Sequence, residues 1–117
     1  MTQEDKDLLL KDLCSRLPYG VKGVEANTLC LLNTVTHFKS IVKNIEYKIE
    51  HLGFKPYLFP LSSMTEEQEK EWRYTLTSDG NITYETVNWC NKYHFDYRDL
   101  IPMGLANDAT GLNINIY

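Results

Sequence analysis

Long apolar runs are missing from this chain of 117 residues. A helix that crosses a bilayer needs roughly 20 consecutive apolar residues, and no stretch approaches that length. The opening residues, MTQEDKDLLLKDL, are acidic and amphipathic, whereas a secretory signal has a positively charged start and a solid apolar stretch. The sequence therefore predicts neither a membrane-spanning segment nor a signal peptide, and no membrane partner.

Cysteine is scarce as well, with Cys14, Cys30 and Cys90 widely spaced along the chain. Disulfide scaffolds of small secreted proteins are dense in cysteine, and structural zinc sites usually take their ligands from two close pairs. Neither pattern occurs here. We expect a cytoplasmic protein with no disulfide frame, no metal and no other cofactor.

Positive charge is in deficit, because 12 Lys and Arg face 16 Asp and Glu for a net charge of −4. Nucleic-acid binding needs a surplus of Lys and Arg gathered on one face. The only basic region of any length is residues 37–55, which Glu46 and Glu50 interrupt. Its basic residues are His37, Lys39, Lys43, Lys48, His51 and Lys55. A solvated face explains the region best, so nucleic acid is the less favoured partner.

The composition is that of a globular protein, with 43% hydrophobic and 24% charged residues, and the length suits a single domain over residues 1–117. The clearest helix comes first, with Thr2 as its N-cap and Pro18 as its end. Its apolar stripe predicts a buried face that includes Cys14. The stripe consists of Leu9, Leu10, Leu13, Cys14 and Leu17.

The sequence pattern predicts strands after the first helix and becomes ambiguous from residue 38. Residues 21–25 and 28–36 are rich in β-branched side chains, and Ala26-Asn27 can form a tight connection between them. Residues 38–52 carry a helical apolar stripe followed by Gly53, yet residues 44–50 within them also alternate as a half-buried strand does. Periodicity alone leaves both structures open.

Proline and capping signals organise the rest of the chain. Residues 55–60 hold two prolines and predict an ordered, extended connector. Thr65 and Gln68 form a capping-box pattern that predicts one C-terminal helix. A second helix is expected from near Thr83 to residues 93–94, with Cys90 facing inward. We expect residues 107–117 to be loosely held.

Cys90, His94, Asp96 and Arg98 are the densest mixture of metal-ligating, basic and anion-binding groups in the chain. The set lacks a second ligand pair for zinc and shows no oxyanion donors for a cysteine nucleophile. Structural duties explain it better: Cys90 in the core, Asp96 capping a short turn, and Arg98 pairing with a carboxylate such as Asp99 or with a helix end. We assign no catalytic residue and expect replacement of His94 or Asp96 to lower stability.

Aromatic residues crowd the same region. Trp89, Tyr93, Phe95 and Tyr97 form a cluster in sequence, and Trp72, Tyr74 and Tyr84 join it at a distance. Such residues can pack a core, anchor a protein interface or stack on bases. The candidate binding residues are Tyr93, His94, Phe95, Asp96, Tyr97 and Arg98.

Three strings in the sequence are distinctive: KDLCSRLPYGVK at residues 11–22, KPYLFPLSSMTEEQ at residues 55–68, and NKYHFDYRDLIPMGLA at residues 91–106. With these strings the chain resembles a family of small uncharacterised proteins of gut Bacteroides-type bacteria and of their phages and mobile elements. The resemblance implies a phage or mobile-element context, no established activity, and a strand over the ambiguous middle segment. Family members usually have Gly where Asp99 stands and a charged residue where Pro102 stands.

These observations together predict a single α+β domain. It has an N-terminal helix, a small antiparallel sheet of about three strands within residues 21–49, the proline connector and two C-terminal helices. The leading functional hypothesis is a non-enzymatic interaction protein of phage or mobile-element origin that binds a host or phage protein. The alternative is a nucleic-acid-binding accessory protein that uses residues 37–55 and aromatic stacking. Homo-oligomerisation is compatible with both.

Overall fold

Four α-helices and five short strands make up the regular structure of the described part of the chain. A computed structural model describes residues 1–32 and 38–112, with the backbone alone for residues 38–41. The helices of this part are α1 (Gln3–Arg16), α2 (Phe38–His51), α3 (Glu66–Thr75) and α4 (Tyr84–Lys92). The strands are β1 (Val21–Glu25), β2 (Thr28–Leu32), β3 (Lys55–Pro60), β4 (Phe95–Asp96) and β5 (Asn107–Asp108). Single 3-10 turns follow α1 and β3.

Three of the helices begin at threonines whose side chains cap them. Thr2 Oγ1 accepts from the Asp5 N–H at 3.1 Å, and the Asp5 carboxylate accepts from the Thr2 N–H at 3.2 Å. Thr65 and Gln68 make the same reciprocal pair at the start of α3, and Thr83 starts α4 in the same way. Each cap satisfies backbone donors that a helix start leaves without partners. The predicted helix starts are confirmed.

The predicted antiparallel sheet of about three strands is instead a mixed sheet of five strands among the described residues, with the strand order β2-β1-β3-β4 and with β5 also paired to β3. Ala26 and Asn27 connect β1 to β2 with φ angles of 47° and 66°, the left-handed pair that a two-residue hairpin turn requires. The predicted tight connection is thus confirmed. β1 runs antiparallel to both of its neighbours, whereas β4 and β5 run parallel to β3.

Residues 38–52 form a helix through His51, so the strand that the resemblance implied there is wrong. The helical stripe decides the outcome, because Ile45 and Ile49 lie one turn apart and are both buried. Tyr47, which a strand would place on the same face as these isoleucines, is 57% exposed.

The third strand of the sheet is instead the proline segment β3, which was expected to be a connector. Pro56 faces Gly23 of β1, next to the pair formed by Lys55 and Val24. Because alternate residues of an antiparallel strand turn their N–H away from that neighbour, Pro56 costs no bond to β1. A Cβ at Gly23 would come within 2.5 Å of the Lys55 carbonyl oxygen, so the close approach of β1 and β3 requires glycine there.

One apolar core joins α1, α2 and the sheet. Its buried members are Leu9, Leu13, Leu17, Val21, Leu32, Ile45, Ile49, Phe54, Leu58, Leu100, Leu105 and Ala106. Cys14 packs against this core, as predicted. The described residues therefore form a single α+β domain with an N-terminal helix and two C-terminal helices. None of the helices in the described part is long and apolar enough to cross a membrane.

The C-terminal tail and the segment after β2 lie only partly within the described residues. The tail was expected to be loosely held from residue 107, but Asn107 and Asp108 pair with Tyr57 and Leu58 of β3. The predicted strand residues 33–36, His37 and the tail residues 113–117 lie outside the described residues. The side chain of Lys39 does so too.

Candidate functional site

The predicted binding segment, residues 93–98, begins directly after α4 and contains β4. His94 has a φ of 64°, and its carbonyl accepts from the Phe59 N–H of β3 at 2.8 Å. His94, Phe95 and Asp96 are at most 4% exposed. The other three residues, Tyr93, Tyr97 and Arg98, are half-buried. Half of the predicted binding residues thus lie inside the domain, and the role of the segment in partner binding stays a prediction.

Asp12 and Arg16, one turn apart on α1, form an ion pair whose side chains are fully buried. Arg16 Nε donates to Asp12 Oδ2 at 2.8 Å, and Nη2 donates to Oδ1 at 3.2 Å. Nη2 also donates to the Phe95 carbonyl at 2.7 Å, and Nη1 donates to the Cys90 carbonyl at 3.4 Å. One guanidinium therefore connects α1 to α4 and β4. We call Asp12, Arg16 and their bonded partners the buried ion network.

Arg98 brings a second cation to the same carboxylate. Its Nε donates to Asp12 Oδ1 at 3.2 Å, and its Nη2 donates to the Tyr97 hydroxyl at 3.0 Å. The guanidinium carbons of Arg16 and Arg98 lie 5.2 and 4.9 Å from the centroid of the Tyr97 ring, within the range of cation–π attraction. The prediction that Arg98 pairs with a carboxylate is confirmed, but the partner is Asp12 and not Asp99.

Asp96 caps the turn that follows β4, as predicted. Its Oδ1 accepts from the Leu100 N–H at 3.0 Å, and its Oδ2 accepts from the Ile101 N–H at 2.9 Å. Asp99, inside this turn, has a φ of 59°, a backbone region that glycine adopts more easily. Asp96 therefore shapes the chain after the segment and uses both carboxylate oxygens to do so.

Replacing Asp96 with alanine is expected to lower the free energy of unfolding by about 1 to 2 kcal/mol, because two N–H groups lose their acceptor. Urea titration followed by circular dichroism measures the change. Asp108 is the matched control, since it is exposed and accepts a single N–H from Thr110 at 2.8 Å. Equal losses in Asp96→Ala and Asp108→Ala would contradict the capping role.

Cys90 and His94 lack the features of a reactive pair. Burial raises the pKa of the Cys90 thiol to about 11, although the nearby Arg16 opposes this, so the nucleophilic thiolate is rare at neutral pH. Burial, followed by the charges of Arg16 and Lys22, lowers the pKa of His94 to about 4. Within the described part of the chain, no three His, Cys, Asp or Glu side chains gather as a metal-binding group. The side chains of Cys90 and His94 are also both buried.

The aromatic residues divide between the interior and the surface. Phe95 is buried and stacks on Trp89, with ring centroids 5.3 Å apart and planes 4° from parallel. Trp89 also contacts Tyr93 at 4.9 Å between centroids, and its Nε1 donates to Glu71 of α3 at 3.2 Å. The sequence left core and surface roles open, and this stack ties α3, α4 and β4 together.

Three large side chains at the junction of α3 and α4 are instead exposed to solvent. Tyr74 is 88% exposed, Tyr84 is 79% exposed and Ile82 is 61% exposed. We call these three residues the aromatic corner. Single exposed apolar residues are normal, but three near one another are typical of an interaction surface. Both tyrosines stand out in the sequence as distant members of the aromatic cluster, but the sequence does not predict that they form a site.

The backbone beneath the aromatic corner is held by a threonine network. Thr83 Oγ1 donates to the Thr75 carbonyl at 2.7 Å, and Thr86 Oγ1 donates to the same carbonyl at 3.0 Å. The intervening loop is closed by the Thr77 N–H, which donates to the Asn81 carbonyl at 2.9 Å. Because Tyr74 and Tyr84 directly adjoin the bonded threonines, the backbone at these two residues is held close together, which lowers the cost of ordering it on binding.

Comparison with known proteins gives no relative for this arrangement. No family model, no curated protein and no solved structure matches the chain. The family suggested by the three sequence strings stays a prediction.

The basic stretch, residues 37–55, lies mostly on α2. Lys48 forms an ion pair with Glu25 of β1. The His51 Nε2 lies 3.9 Å from the Glu50 carboxylate, which stands beside it on the helix. Two of the described basic groups thus lie beside carboxylates. That mixture leaves little positive charge for phosphate contacts.

Proposed function

We propose that this protein is a non-enzymatic binding domain that docks a host or phage protein through the aromatic corner. The observation that carries the proposal is the exposure of Tyr74, Ile82 and Tyr84 on a backbone fixed by the threonine network. Tyrosine is enriched among the residues that dominate binding energies at interfaces. The resemblance supports a phage or mobile-element origin, and the widely spaced free cysteines support a cytoplasmic location.

The charge around the aromatic corner favours a basic protein surface as the partner. Residues 66–85, which include α3 and the corner, contain six acidic and two basic residues. Their net charge of −4 equals that of the whole chain. Complementary charge accelerates association and excludes partners of like sign. A nucleic acid, which presents phosphates, is disfavoured at such a surface.

A pull-down from a lysate of a Bacteroides-type gut bacterium tests the proposal with matched variants. Proteins that the wild type retains should decrease at least about tenfold with the double variant Tyr74→Ser and Tyr84→Ser, because interface tyrosines commonly contribute 2 kcal/mol or more. Tyr47→Ser is the control, since Tyr47 is 57% exposed on a different helix. Retention by the wild type and by Tyr47→Ser, together with loss by the double variant, identifies the corner as the contact.

Two outcomes would contradict the aromatic corner. One is retention that falls with Tyr97→Ala but not with the double variant, which would place the contact at residues 93–98. The other is steep, salt-sensitive binding of a fluorescent oligonucleotide in an anisotropy titration, which would favour the nucleic-acid alternative. Circular dichroism of each variant verifies that the fold is retained.

A further inference from the structure

β2 is the outer strand of the sheet. Its inner side pairs with β1, and no other strand of the described residues pairs with its outer side. Natural edge strands are usually protected by a charge, a proline, a bulge or a covering segment. The β2 sequence, Thr-Leu-Cys-Leu-Leu, contains neither a charged residue nor a proline, and its pairing with β1 shows no bulge.

The register of the hairpin determines which backbone groups face outward. Glu25 and Thr28 flank the two-residue turn and form a hydrogen-bonded pair. Hydrogen-bonded pairs alternate along an antiparallel ladder, so Thr28, Cys30 and Leu32 direct their N–H and C=O groups toward β1. Leu29 and Leu31 therefore direct theirs toward the open side of the strand.

The side chains of β2 follow the same alternation. Leu29 is 51% exposed and Leu31 is 53% exposed, on the face of the sheet opposite the core. Cys30 packs against the core and Leu32 belongs to it. The two leucines that carry the outward backbone groups are thus also the exposed side chains of the strand.

We propose that β2 pairs antiparallel with β2 of a second copy of this chain, about a two-fold axis that passes beside Cys30. Leu29 of each copy then faces Leu31 of the other, and these residues exchange four backbone hydrogen bonds. The two Cys30 residues face each other as a non-hydrogen-bonded pair, with Cα atoms about 4.5 Å apart. The result is one continuous sheet across both copies.

A second copy suits this strand because the strand is self-complementary. Leucines stand at equal distances on both sides of Cys30, so each outward-facing leucine meets a leucine. No charged side chain lies on β2, and therefore the pairing brings no like charges directly opposite each other. Both conditions are needed for a contact that uses the same surface patch on both subunits.

The dimer is expected to be weak. Two five-residue strands cover less than the roughly 800 Å² per partner of a standard interface, so the monomer should dominate in dilute solution. The contact uses a different element from the aromatic corner, and each proposal can fail without the other. Concentration dependence is the signature to measure.

Sedimentation velocity over a concentration series tests the pairing. The wild type should sediment faster as its concentration rises. Leu31→Pro removes one outward N–H per copy and leaves the bonds to β1 in place, so the dissociation constant should rise at least about tenfold through the loss of two of four bonds. Leu31→Thr keeps the N–H and should retain the dimer, which separates backbone pairing from side-chain packing.

Disulfide trapping gives an independent readout. Oxidation of the concentrated wild type with copper-phenanthroline should yield a covalent dimer linked through Cys30, because the paired Cα atoms fall in the range that a disulfide spans. Cys30→Ser should lose this product and keep the sedimentation behaviour of the wild type. A wild type that stays monomeric at its solubility limit would overturn the proposal. A dimer that persists in Leu31→Pro, or that crosslinks through Cys14, would also overturn it. The same holds if a strand peptide of different sequence binds β2 while a second copy of the chain does not bind there.

Discussion

Replacing Asp12 with alanine is expected to lower the free energy of unfolding by about 3 to 5 kcal/mol, because the Arg16 guanidinium would stay buried without its counter-ion. Arg16 and Asp12 have no exposed side-chain surface, so water cannot compensate for the loss. Arg98 would lose its 3.2 Å contact with the same carboxylate. Urea unfolding monitored by tryptophan fluorescence measures the change.

The chain contains a matched control for this substitution. Glu69 and Arg73 on α3 form an ion pair with the same four-residue spacing, but both side chains are about half exposed or more. Glu69→Ala should therefore cost less than about 0.5 kcal/mol. Similar losses for Asp12→Ala and Glu69→Ala would show that burial does not determine the strength of the network.

The helix starts could be predicted from the sequence because their causes are local. Thr2, Thr65 and Thr83 each cap a helix through bonds that reach only three residues along the chain. The hairpin turn at Ala26 and Asn27 is equally local. A pattern that contains all of its interacting partners can be read without knowing the fold.

The local sequence pattern of residues 38–52 does not determine whether they form a helix or a strand. Ile45, Tyr47 and Ile49 alternate like a strand, and Ile45 and Ile49 also share a helical face. Packing of α2 against α1 decides between the two, and the ion pair between Lys6 and Glu50 at 3.3 Å crosses that contact. Lys6 and Glu50 are 44 positions apart, and no periodicity within the segment reveals such a contact.

The buried ion network was not predicted for the same reason. Arg16 bonds to the carbonyls of Cys90 and Phe95, which are 74 and 79 positions away. In sequence, Asp12 and Arg16 look like an ordinary surface pair on a helix. Only the docking of α4 and β4 on α1 buries them. The same docking buries His94 and Phe95, which sequence reasoning had placed among the candidate binding residues.

His94 is the group through which acid should act on this fold. It is 2% exposed, and the charged groups that lower its pKa come from two elements, Arg16 on α1 and Lys22 on β1. A proton on its imidazole would add a buried positive charge next to two others. The folded protein therefore binds this proton more weakly than the unfolded chain, with a pKa of about 4 against 6.5.

Lowering the pH from 7 to 4 is expected to remove about 3 kcal/mol of stability through His94 alone, since each tenfold difference in proton affinity is worth about 1.4 kcal/mol. The loss begins near pH 6.5, where the unfolded chain takes up the proton, and levels off below pH 4, where the folded state takes it up too.

Carboxylates also destabilise the protein in acid, so the quantity to measure is the difference between variants. His94→Asn removes the titration and tolerates the φ of 64°, and its unfolding free energy should fall less steeply than that of the wild type between pH 6.5 and 4. His51→Asn, at an exposed position of α2, should follow the wild-type curve. Parallel curves for His94→Asn and the wild type would show that the buried imidazole does not set the acid sensitivity.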